Sequence, residues 1–155
     1  MKTAFVAADI TPCANTGRLA DVAGALPQAL QQLGHELRVF MPLYATVRNG
    51  PFVLQPVENI QNVALTMGAQ TYEFSVFSST PPGAGLGIYL IDCPALYSRR
   101  TLYTNDADEH RRFILLQRAT LESLQRMQFA PDILHCNDWH TALLPLLLKT
   151  SYSWD

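Results

Sequence analysis

Two short segments carry the residues whose types and spacing could do chemistry. The first is Ala14–Leu26, ANTGRLADVAGAL, which leaves a short apolar run and enters an apolar-periodic stretch through Gly17. Such a loop gathers unpaired backbone amides and the positive end of a helix dipole at one point, where a phosphate is stabilised. Gly17 can adopt a positive φ and admits a ligand close to the backbone. The segment matches neither G-x-G-x-x-G nor the Walker pattern, so the residues alone leave a phosphate cradle and an ordinary strand-to-helix turn both open.

The second segment is His135–His140, HCNDWH. Taken singly, His135 reads as a satisfied core histidine, Cys136 as a small buried filler and Trp139 as an aromatic plug. A zinc site from His135, Cys136 and His140 lacks a fourth ligand, and a buried strand end would separate the three. A nucleophilic Cys136/His pair is no better supported. Asp138 stands apart, because a carboxylate at the tip of a buried strand must be solvated, paired or aimed at a hydroxyl-rich ligand.

The elements that must position these residues alternate in type. Thr3–Ala8 is an apolar run without alternation, ended by Asp9 and Pro12, as a strand buried on both faces should be. Leu19, Val22, Ala23, Leu26, Leu30 and Leu33 recur at helical spacing before Gly34, which predicts a crossover helix kinked near Pro27. Glu36–Tyr44 follows as a parallel strand. Residues 60–78 change character, with Val63–Thr66 and Thr71–Phe77 reading as an antiparallel hairpin about Gly68. Gly87–Asp92 is another buried strand. A long helix is expected over Asp108–Met127, with Phe113, Leu116, Ala119, Thr120, Leu121 and Leu124 inward and an acidic start at Asp106, Asp108 and Glu109. Asp132–His135 is the last strand, and Trp139–Lys149 a helix apolar nearly all round. The pattern predicts an α/β fold: a Rossmann-like, mostly parallel sheet with helices on both faces. Ligands then sit beyond the carboxyl ends of the strands, which Asp9–Leu19 and Cys136–His140 both reach.

Composition sets limits on partners. The 155 residues are 48% hydrophobic, enough for one core, but only 15% charged, against about 25% in an average globular chain. That shortfall predicts a surface that faces another domain. A net charge of −2 offers nothing to attract nucleic acid or an anionic membrane. Met1–Ile10 is too short an apolar run for a signal peptide, and Ala142–Leu148 is far below the ~18 residues of a membrane span and contains Pro145. Three cysteines without C-x-x-C spacing fit a reducing cytoplasm.

Three separated motifs, TGRLADVAGALPQALQQLGHELRVFMPLY, GIYLIDCPALY and PDILHCNDWHTALLPLLLK, together with DADEHRRF, strongly resemble the amino-terminal half of bacterial glycogen synthases and plant starch synthases. The resemblance runs the length of the chain. It implies the first half of a GT-B fold, with residues 1–155 as a single amino-terminal Rossmann-like domain and the carboxy-terminal nucleotide-binding domain absent. Those enzymes transfer glucose from ADP-glucose, or sometimes UDP-glucose, to an α-1,4-glucan with retention and without a metal. No cofactor is implied beyond the nucleotide-sugar substrate, and the fragment alone is expected to be inactive.

Carried over residue by residue, the resemblance places Asp138 at the sugar as the catalytic-centre residue. It places Asp9, Asn15, Gly17, Arg18 and His140 in the substrate-binding set. Asp9 stands where the family usually has Glu. Asn15 replaces the lysine of the K-T-G-G-L signature, Arg18 replaces its second glycine, and Asn137 replaces the central His of H-A-H-D-W-H. Losing a cation that stabilises the departing diphosphate typically costs about 3–4 kcal/mol, unless the Arg18 guanidinium takes its place. These departures leave open a non-catalytic relative that binds α-glucan or a partner synthase.

Overall fold

The computed structural model describes residues 1–153. Its spine is four parallel strands: β1 (Lys2–Val6), β2 (Glu36–Pro42), β6 (Ile88–Asp92) and β7 (Ile133–Cys136). They lie in the order β6-β2-β1-β7, with Phe5 opposite Val39 on one side and His135 on the other. Ala4, Phe5 and Val6 are fully buried, as the unalternating run requires of a strand covered on both faces. β1 and β2 are joined by α1 (Arg18–Gln32), and β6 and β7 by α4 (Glu109–Arg126). The first crossover moves along the sheet away from β7 and the second moves back past β1. Parallel crossovers are right-handed as a rule, which puts two helices that cross in opposite directions on opposite faces.

Beyond β6 the sheet turns antiparallel. β4 (Val63–Met67) and β5 (Gln70–Ser79) form the expected hairpin, with Gly68 at φ +62 in the turn, and the long β5 carries it onto β6. A two-residue strand, β3 (Gln55–Pro56), edges β5. Two helices of one turn, α2 (Ala45–Arg48) and α3 (Pro94–Tyr97), follow β2 and β6.

α1 corrects one expectation. The residues it buries are Ala20, Ala23 and Pro27, while Val22 is 52% and Leu33 75% exposed. The cause is close packing: a Cβ on Gly24 would lie 2.7 Å from the Thr11 carbonyl oxygen, so only small side chains fit beneath the helix and Val22 turns outward. Leu33 has left the helix. Gly34 at φ +84 donates to Gln31 O and His35 to Leu30 O, the paired bonds of a Schellman stop. α1 remains one helix across the buried Pro27.

α4 buries all six residues expected of its apolar side and Arg112 as well. The final segment is not one helix. Trp139–Thr141 forms a 3₁₀ turn, and α5 (Leu144–Lys149) begins separately. Pro145 has no N–H to bond back one turn, and it marks the restart. Trp139, Leu143, Leu146 and Leu148 remain 38–57% exposed.

Candidate functional site

The direction of chain progression reverses between β1 and β7, so the crevice beyond their carboxyl ends is the switch point where an α/β sheet presents a ligand. Val6 pairs with Cys136 across that edge, which brings the two chemistry-bearing segments side by side. Asn137 ties them together: its backbone N–H and its Nδ2 both donate to Val6 O, at 3.2 and 2.9 Å. The residue that interrupts the histidine motif is therefore buried and structural.

After β1 the chain folds into a tight loop. Asp9 is fully buried, and its Oδ2 accepts from the Thr16 backbone N–H at 3.1 Å and from the Thr16 hydroxyl. The shorter arm of aspartate is withdrawn under the loop and holds it. Asn15 Oδ1 accepts from the Gly17 N–H at 2.9 Å, and Asn15 Nδ2 donates to Asp21 Oδ1 at 3.0 Å. Gly17, at φ +149 and ψ −154, occupies a region essentially reserved for glycine. Arg18 opens α1 with its side chain exposed, and among the described residues it has no hydrogen-bond or ion-pair partner.

After β7, Asp138 is exposed at φ +62, and its Oδ1 accepts from the Trp139 N–H at 2.6 Å. Thr141 steadies the turn by donating to Asn137 O at 2.9 Å. His140 is buried in an aromatic cage: Tyr103 stacks on it at 5.0 Å between centroids, Phe113 meets it edge-on at 4.5 Å, and Trp139 lies at 4.0 Å. Burial holds the imidazole below its ordinary proton affinity, against the opposing pull of Asp138, Asp9 and Glu109, so it is neutral near pH 7. Cys136 bends its thiol toward Leu134 O, and burial raises its pKa. A protonated thiol of that kind is no nucleophile. Among the described residues no three His, Cys, Asp or Glu side chains are grouped to hold a metal.

The structure adds residues that had no local signal. Tyr103, from the loop between α3 and α4, closes over His140. Burial, followed by the charge of Asp9, pushes its phenol well above the usual range. That loop is pinned by Arg112, whose Nε donates to Leu96 O at 2.8 Å and whose Nη1 donates to Leu102 O at 2.7 Å and to both Glu109 oxygens at 3.0 Å. Arg99 binds Asp106 and Asp108 at 2.8 and 2.7 Å. Among the described residues, His140 Nδ1 and Arg112 Nη2 are buried without a hydrogen-bond partner, and Asp9 Oδ1 and Tyr103 OH are buried with no partner at hydrogen-bond geometry, although the Asp9 carboxylate acts on the Tyr103 phenol. Such a concentration of unpartnered polar atoms marks a functional edge rather than a settled core.

These features define a Rossmann-like α/β domain with a carboxylate, a caged neutral imidazole and a glycine-gated helix start at its switch point. The starch synthase catalytic domain family matches residues 2–155, and the chain belongs to that family. It is 40% identical to a glycogen synthase of Geotalea uraniireducens over 96% of its length, and 36% identical to one of Photobacterium profundum over 99%. It superposes on the catalytic domain of starch synthase IV from Arabidopsis thaliana, solved with ADP and acarbose, with a TM-score of 0.86 and 29% identity over 98% of this chain. The chain spans 30–31% of the length of these three proteins.

Proposed function

We propose that residues 1–155 are the amino-terminal, acceptor-side domain of a retaining glucosyltransferase of the glycogen and starch synthase type, one half of a GT-B cleft. Joined to a carboxy-terminal nucleotide-binding domain, it serves transfer of glucose from ADP-glucose or UDP-glucose to an α-1,4-glucan in the cytoplasm, without metal or cofactor. The observation that carries this reading is Asp138. Its strained backbone holds an exposed carboxylate at the strand tip, with Oδ1 committed to the Trp139 N–H and Oδ2 without a partner among the described residues. A carboxylate so fixed accepts from sugar hydroxyls near the bond being made, and the neighbouring Trp139 ring, 56% exposed, offers an apolar face to the sugar's C–H surface. Neutral His140 is a hydrogen-bonding group rather than a charge. A departing diphosphate needs fixed cations and donors, which on this reading come from the other domain.

Titration of maltoheptaose against the chain, followed by Trp fluorescence and calorimetry, tests the proposal. Asp138→Asn is expected to weaken binding about tenfold to a hundredfold, the worth of a hydrogen bond to a charged group. Absence of binding at millimolar sugar, or unchanged affinity in Asp138→Asn, refutes it. The replacements at Asn15 and Arg18 favour a second reading, a non-catalytic α-glucan- or partner-binding relative. Glucan binding by the native protein with no response to ADP-glucose selects that one.

A further inference from the structure

We propose that Asn137 is a positioning residue for the sugar-facing carboxylate: its double hydrogen bond to β1 does more than join two strands, because it sets the direction in which Asp138 points. The inference rests on the proposed role of Asp138 at the glucan. Asp138 sits at φ +62 and ψ −178, a combination that glycine adopts and other residues avoid. A residue stays there only where its surroundings fix the chain on both sides of it. Here those surroundings are two residues, Asn137 before it and Thr141 after it.

Asn137 is 8% exposed. Its N–H and its Nδ2 both donate to Val6 O, at 3.2 and 2.9 Å, and the side-chain bond spans 131 residues of sequence. A carbonyl oxygen has two lone pairs and accepts both. The ring so closed holds the side chain and the backbone nitrogen of Asn137 together against β1, which lies inside the sheet between β2 and β7. The next peptide is fixed through its oxygen, since Asn137 O accepts from the Thr141 hydroxyl at 2.9 Å. Beyond Asp138, its own carbonyl oxygen accepts from the Thr141 N–H at 3.2 Å and lies 3.2 Å from the same hydroxyl. Both peptides that flank Asp138 are therefore held, and the position of an interior strand is passed to the carboxylate. An amide at position 137 suits this task because it carries a donor, whereas a carboxylate would set oxygen against Val6 O. Without the grip, Asp138 is free to return to a negative φ, the ordinary range for a residue with a Cβ. Its Oδ1 then gives up the Trp139 N–H, held at 2.6 Å, and the carboxylate leaves the crevice.

The test compares the intact chain with Asn137→Ala, Asn137→His, Asp138→Gly and the double variant of Asn137→Ala with Asp138→Gly. Glycine at 138 suits the backbone and removes the carboxylate. Urea curves identify a temperature at which each chain is folded, and there the Trp139 amide proton shift and the maltoheptaose affinity are read. Asn137→Ala is expected to move the Trp139 amide upfield and to weaken maltoheptaose about tenfold. Asn137→His keeps a ring N–H donor and is expected to restore the amide shift and most of the affinity. Because Asn137 acts through the carboxylate, Asn137→Ala should weaken the Asp138→Gly chain by less than about threefold further, the non-additive result for two residues in one path. A folded Asn137→Ala with the native amide shift and native affinity overturns the proposal. So does an equal loss in the native and Asp138→Gly backgrounds, since Asn137 would then act on the fold and not through Asp138. If Asn137→Ala does not fold, Thr141→Val, which cuts the grip from the other side, is read in its place against the same outcomes. If the native chain does not bind maltoheptaose, or Asp138→Gly binds it as tightly, the glucan reading fails. The Trp139 amide then decides the positioning by itself: movement in Asn137→Ala supports it and constancy overturns it.

Discussion

Replacing Glu109 with alanine strands a guanidinium inside the protein. Arg112 is fully buried, and its only ionic partner among the described residues is Glu109, whose two oxygens each accept from Nη1 at 3.0 Å. Glu109 also accepts from the Thr104 N–H at 3.0 Å and the Thr104 hydroxyl at 2.5 Å, so the same carboxylate holds the loop that carries Tyr103. Breaking a buried pair by deleting one member costs about 3–5 kcal/mol. Glu109 retains 17% side-chain exposure, and water entering there moves the expectation to about 3 kcal/mol at the low end of that range. With an m-value of about 2 kcal/mol/M for a domain of this size, the urea midpoint falls by about 1.5 M at unchanged slope. The decisive comparison is Glu109→Ala with Arg112→Met in one chain. Removing the charge with its partner leaves no isolated ion, so the double variant should be about 1–2 kcal/mol more stable than Glu109→Ala alone. If Glu109→Ala lies within about 1 kcal/mol of the native protein, the worth of one hydrogen bond, or the double variant is the less stable, the account of Arg112 as a buried clamp fails.

Acidification should destabilise the fold in two stages. His140 binds a proton less readily folded than unfolded, so the unfolded chain takes up more protons and stability falls as pH drops below about 6.5. Glu109 and Asp108 are held below their usual ranges, the first by Thr104 and Arg112 against the larger opposing push of burial, the second by Arg99, and they add a further loss in the acid range. Melting curves between pH 8 and 3 read both stages; His140→Phe should flatten the first, and a melting temperature that rises on acidification would contradict it. The two helix-side glycines should fail for different reasons. Gly17→Ala has open space for its Cβ but a forbidden backbone, at about 1–3 kcal/mol. Gly24→Ala has an ordinary helical position but meets the Thr11 carbonyl at 2.7 Å, at a similar cost of about 1–3 kcal/mol through overpacking. A relaxed crystal structure of Gly24→Ala with native stability would show that the helix can retreat from the loop.

Much of the architecture was legible because periodicity reports burial directly. The unalternating run at β1, the hairpin about Gly68 and the six inward residues of α4 all lie where the pattern places them. α1 departed from its pattern because the identity of its neighbour, the Thr11 backbone, matters as much as hydrophobicity. The terminal apolar segment divided because a proline supplies no donor, whatever its hydropathy. In the loops after β1 and β7, residue type and spacing single out Asp9, Asn15, Gly17, Arg18, Asp138 and His140, but not the states the structure gives them. Asp9 is buried beneath the loop, His140 is caged, and Tyr103 and Arg112 reach the same edge from a loop and a helix that carry no local sign of it.

Local periodicity, turn chemistry and backbone sterics are enough to set the α/β alternation, the strand that runs out just before Asp9, the strand that runs out shortly before Asp138 and the glycine through which α1 begins. Only the tertiary structure decided that β1 and β7 are neighbours, that Asn137 fastens them through Val6 O, and that Asn15 covers the Gly17 amide. Hydrogen bonds depend on distances between groups that chain order does not order in space. The pairing of strands 130 residues apart, and the choice of acceptor at each amide, are therefore settled only when the sheet has closed and each polar group has found the partner within its reach.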